Sequence, residues 1–173
     1  MVSNRCALAL VLYALVPTIP FFMGQGLGKE EEVCDEARPR RCDGSKGSVA
    51  NLATLGICIF AEALLGVELS AWLWNDFFVS LLLLVMTHEL LHAMSYWYYG
   101  CFALPLPLMS PPILGVTFAR CGAKSRIPKI APLAISVVGF AIGLATGSYR
   151  YQFLALLNLA GSAYDVATFF LHR

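Results

Sequence analysis

The chain has 173 residues, 58% of them hydrophobic and only 13% charged, with a mean hydropathy of +0.70. Soluble domains carry about 25% charged residues, so this composition excludes an ordinary soluble globular protein. The net charge is +1 and no basic cluster is interleaved with aromatics, which leaves nucleic-acid binding without support. A spanning helix needs about 20 mostly apolar residues, and several windows meet that requirement. The expected fold is an all-α polytopic membrane protein with about five transmembrane helices. Residues 1–48 form an N-terminal segment and charged loop, and residues 49–173 form the membrane core.

Residues 1–27 hold Arg5 and then an apolar run from Cys6 to Met23. The run fits a retained first helix, which we favour. A secretory signal is the alternative, although no clear small-x-small cleavage site follows. Pro17 and Pro20 are expected to kink or end a helix there. Residues 28–48 are the one strongly polar stretch and read as a solvated loop. Cys34 and Cys42 within it would pair as a disulfide outside the cytoplasm and stay as thiols inside it. Cys6 and Cys58 lie in apolar segments and read as packing residues. The second span covers residues 49–68 and contains Glu62, which either lines an aqueous path or reaches the interface near Glu68. Trp72 and Trp74 read as interface anchors. The third span runs from Phe77 to Tyr99, and Gly100 closes it.

This third span carries His88-Glu89-Leu90-Leu91-His92, with two of the three histidines in the chain. On a helix, positions i and i+4 share a face one turn apart. Two imidazoles so placed can bind one metal ion, and Glu89 beside them can take a proton from water. This is the H-E-x-x-H zincin pattern. Three ionisable groups in an apolar span are costly there, which favours function over a chance match.

Residues 101–127 contain Pro105, Pro107, Pro111 and Pro112, which forbid a regular helix. Ile113–Arg120 reads as a strand, within a short β-hairpin or re-entrant loop. Arg120, Lys124, Arg126 and Lys129 follow without an acid among them. The positive-inside bias therefore puts this loop, and the active site near it, on the cytoplasmic side. The same topology makes the 28–48 loop cytoplasmic, with its five Lys or Arg residues. It leaves the N-terminus outside despite Arg5. The fourth span covers residues 128–147, with Pro132 in its first turns and Gly139, Gly143 and Gly147 four apart, a spacing that allows close helix contact. The fifth span runs from Tyr151 to Leu171.

Catalytic zinc takes three protein ligands and keeps one position open. After Glu89 the chain has one carboxylate, Asp165, in the fifth span. His172, Cys101, Cys121, Glu62, Glu68 and Asp76 are the alternatives. The third and fifth spans run in one direction, and His88 and Asp165 lie at similar depths in them, so Asp165 is preferred. Asn158 stands almost two turns before Asp165 on the same face. It can contact substrate or orient a ligand, or it can make an ordinary interhelical hydrogen bond. Gly161 and Ser162 between them can bend the helix.

HELLH in one span, a basic loop with a strand, Ala131-Pro132 opening the next span and Asn158-Leu-Ala-Gly-Ser-Ala-Tyr-Asp165 in the one after resemble the small integral-membrane zincin peptidases. These are similar to the site-2 proteases, the intramembrane zinc metalloproteases. The resemblance covers roughly residues 77–172. It implies Zn²⁺ held by His88, His92 and Asp165, Glu89 as catalytic base and Asn158 as a substrate-contacting residue. It also implies a membrane-protein or peptide substrate cleaved in or near a transmembrane segment. Site-2 proteases carry Asn-x-x-Pro and Asp-Gly. Here Gly161 replaces that proline, Val166 follows the aspartate, and the Asn-to-Asp spacing is one residue shorter. The alternative function is a non-catalytic zinc-binding membrane protein, a sensor, transporter or scaffold, with a closed four-ligand site.

Overall fold

Long apolar runs set the helices, and prolines cut them. The structure is a computed structural model that describes residues 4–27, 49–110, 113–120 and 127–171. The charged loop with Cys34 and Cys42, and also Cys121, Lys124, Arg126 and His172, lie outside the described residues. In chain order the elements are α1 (Asn4–Leu15), α2 (Thr18–Leu27), α3 (Val49–Trp72), α4 (Phe77–Tyr98), β1 (Ala103–Ser110) and β2 (Ile113–Ala119). They continue with α5 (Ile127–Ile130), α6 (Leu133–Thr146), α7 (Tyr149–Gly161) and α8 (Ala163–Leu171).

Among the described residues, four helical segments are long and apolar enough to cross a membrane, five if α7 and α8 count as one span bent by 47°. This fits a multi-pass membrane protein. Outward-facing apolar side chains agree: Ile57, Phe78 and Leu144 are 70%, 75% and 74% exposed, a pattern that lipid tolerates and water does not. The first span breaks at Pro17, which has no N–H to continue the helix. The second extends to Trp72, beyond residue 68, because Leu69, Ser70 and Ala71 are buried and the Ser70 carbonyl accepts a hydrogen bond from Ser80 Oγ at 2.8 Å.

α4 is the central element and packs against α2, α3, α5, α7 and both strands. Asp76 caps its start by accepting from the Val79 N–H at 3.2 Å. Gly100, at φ 71°, turns the chain away after its end. Leu91, Met94 and Tyr98 of α4 meet Leu55, Ala63 and Val67 of α3, Ile135 of α6 and Leu154 of α7 in one core. Gly139 and Gly143 let α6 approach α7 closely: a Cβ at Gly139 would lie 3.0 Å from that of Ala155.

The segment after α4 is an antiparallel hairpin, and β1 contains two prolines. Register explains how. The Arg120 N–H donates to the Phe102 carbonyl at 2.9 Å, which makes 102 and 120 a hydrogen-bonded position of the ladder. The alternation then makes Pro105–Thr117 and Pro107–Gly115 non-hydrogen-bonded pairs. Both prolines have their nitrogens on the outer side, where no donor is required. By the same alternation the backbone groups of Gly115 and Thr117 point away from β1, along the free edge of the two-stranded sheet. The Trp97 indole N–H, donating to the Ala103 carbonyl at 2.9 Å, ties the hairpin to α4.

Candidate metal centre

His88 and His92 lie one turn apart on α4, their rings edge to face with centroids 5.0 Å apart. Asp165 comes from α8, and its Oδ2 lies 3.3 Å from His88 Nε2 and 3.4 Å from His92 Nε2. One ligand atom from each of the three falls within 4.8 Å of the others, so the trio can hold a metal ion. Among the described residues this is the one such cluster of three or more.

The partners of each imidazole fix its tautomer. Asn158 donates from Nδ2 to the Pro132 carbonyl and to Ser136 Oγ, both at 2.9 Å. Its Oδ1 therefore faces His88 Nδ1 at 2.9 Å and must accept, so Nδ1 carries the hydrogen. His92 Nδ1 donates to the Pro128 carbonyl. That carbonyl is available because Pro132, four residues on, has no N–H to return the helical bond. Both Nε2 atoms thus present lone pairs toward a carboxylate oxygen. Such atoms directed at one point need a positive charge between them, either a proton on an imidazole, as the 3.3 Å His88 Nε2–Asp165 Oδ2 contact allows, or a metal cation, and the donor set suits zinc. Asn158 is buried with its amide fully bonded: it orients His88 directly, and its side chain lines the cavity described next.

A cavity of about 720 Å³ opens onto this trio, and Glu89, Thr117, Lys129 and Tyr96 also line it. Glu89 is 6% exposed. Its Oε2 accepts from Thr117 Oγ1 at 2.7 Å. Lys129 Nζ donates to the Thr168 carbonyl at 3.3 Å, linking the α5 segment to α8. The break at Ser162 starts a new helix, so Asp165 lies in the first turn of α8, where a carboxylate is favoured by the helix dipole.

Among the described residues, the other candidate ligands do not reach the trio. Glu62 is fully buried on α3 and neither lines this cavity nor reaches the surface. Asp76 is the α4 cap, and Glu68 accepts from Tyr151 Oη at 3.0 Å. Cys101 is disulfide-bonded and offers no thiolate. Sequence reasoning missed Thr117 and the role of the Pro128 carbonyl. The Thr117 contact spans 28 residues and has no local signal. The carbonyl was open to inference from the Pro-x-x-x-Pro spacing of Pro128 and Pro132. No family model, curated protein or solved structure matches this chain.

Proposed function

We propose that the protein is an intramembrane zinc metalloprotease, which hydrolyses peptide bonds in or near transmembrane segments. One observation carries this reading: His88, His92 and Asp165 converge in an open cavity that also contains the Glu89 carboxylate. Three ligands with an open position and an adjacent carboxylate are the donor set of a catalytic zinc site. A purely structural site closes with four.

Zinc, when bound, supplies Lewis acidity toward water and the scissile carbonyl. Glu89 Oε1, left free by the bond at Oε2, takes the proton of the attacking water and passes it to the leaving amine. Asn158 and the Pro128 carbonyl hold the imidazoles by Nδ1, so that their Nε2 atoms would be free to ligate a metal at the trio. The substrate is a membrane-embedded segment in extended form, because a helical backbone has its carbonyls already bonded. The free edge of β2, with outward backbone groups at Gly115 and Thr117, suits such a segment by strand addition.

The test is metal content by mass spectrometry of the detergent-purified protein. About one zinc per chain is expected in wild type, as one catalytic site requires, with loss in Asp165→Ala and retention in His172→Ala. Loss in His172→Ala would favour a closed four-ligand site and a non-catalytic protein.

A further inference from the structure

A buried carboxylate needs hydrogen-bond donors. Among the described residues Thr117 provides one to Glu89, at 2.7 Å from Oε2. The same hydroxyl lies 2.9 Å from the Glu89 main-chain carbonyl. One hydroxyl hydrogen thus serves the backbone and the side chain of a single residue, which pins the glutamate against its own helix. Two positions back on β2, Gly115 leaves the space the side chain occupies. A Cβ there would lie 2.7 Å from both Cγ and Oε1 of Glu89, and 2.9 Å from Cδ. The carboxylate is therefore clamped, with a hydrogen bond on one oxygen and bare strand backbone against the other.

We infer that Thr117, with Gly115 beside it, is the positioning residue for Glu89, so that the hairpin sets the aim of the base. The inference rests on the metalloprotease reading above. Strand propensity does not require this hydroxyl, since valine has the same shape and suits a strand as well. A glutamate side chain has three rotatable bonds, and the clamp removes that freedom before substrate arrives. Misplacing a reacting group by about 1 Å can cost about 100-fold in rate.

The experiment uses the full chain in detergent with zinc, and as reporters a set of synthetic transmembrane-segment peptides bearing helix-breaking residues. Thr117→Val, Thr117→Ser, Gly115→Ala and Glu89→Gln are compared with wild type by kcat, KM, zinc content and melting temperature. Thr117→Val is expected to keep its zinc and its KM while kcat falls about 10- to 100-fold. Thr117→Ser restores most of that loss. Gly115→Ala, which keeps the hydroxyl but displaces the carboxylate, lowers kcat with zinc retained, and it carries the test if Thr117→Val does not fold. Wild-type kcat in Thr117→Val, with Glu89→Gln inactive, would overturn the inference and leave the protease reading intact. Equal loss in the serine and valine variants, or loss of zinc from both, would make Thr117 a packing residue and also overturn it. No cleavage by wild type would remove the protease reading and this role with it.

Discussion

Two of the carboxyl groups held within apolar helices of this protein, Asp165 and Glu62, keep opposite company. Asp165 meets two imidazole nitrogens on α4, and each of those rings is held from behind by an amide or a carbonyl. Glu62 on α3 is fully buried, and neither of its oxygens has a hydrogen-bond partner among the described residues. Nearby polar groups bond elsewhere: Tyr13 Oη is 3.0 Å from Thr87 Oγ1, which donates to the Leu83 carbonyl at 2.8 Å. The cost of an acid in an apolar span applies to both residues. What separates them is convergence of directed lone pairs. Burial alone does not identify a site.

That contrast can be broken most sharply at Glu89. Glu89→Gln should lower cleavage by about 100- to 10,000-fold, the usual worth of a general base, while zinc analysis shows the metal kept. Undiminished cleavage would remove Glu89 from the mechanism. Asn158→Leu should weaken zinc affinity by about 10- to 100-fold, read by competition with a chelating dye. No change would mean that His88 needs no support from behind. Pro132→Ala restores a helical N–H that competes with His92 for the Pro128 carbonyl, and about tenfold weaker zinc binding is expected. A melting experiment tests the α3–α4 contact on the Glu62 side. A Cβ at Gly66 would lie 2.4 Å from Thr87 Cγ2, so Gly66→Ala should cost about 1–3 kcal/mol. The smallest effect belongs to Glu62→Gln, which should leave zinc content unchanged and move stability by no more than about 1 kcal/mol. Loss of zinc in that variant would erase the distinction between the two carboxyl groups.

Much of the candidate centre was legible because helical geometry is local. The i, i+4 spacing of His88 and His92 places both rings on one face, and the count of acids after Glu89 leaves one partner in a span of matching direction. The Gly161-Ser162 pair pointed to a bend, which occurs at Ser162. The hairpin was half legible. Ile113–Ala119 has strand composition, whereas a segment with Pro105 and Pro107 becomes a strand only when register turns both nitrogens outward. Register depends on the partner strand, so the segment alone does not display it. Asn158 was legible as a polar residue on the right face. Its choice between substrate and ligand depends on where Ser136 and the Pro132 carbonyl lie, and both belong to another helix.

The bend at Ser162 divides the centre's supports unevenly. Asn158, which steadies His88, stands before the bend, and Asp165, which completes the trio, stands after it. A metal at the trio would therefore join α8 to α4 across a joint that the backbone has already cut. It would act as a rivet: the last nine-residue helix would owe its angle to the ion as much as to packing. Metal loading would then be a mechanical event as well as a chemical one, and a spin label on α8 would register it as a change of distance to α4.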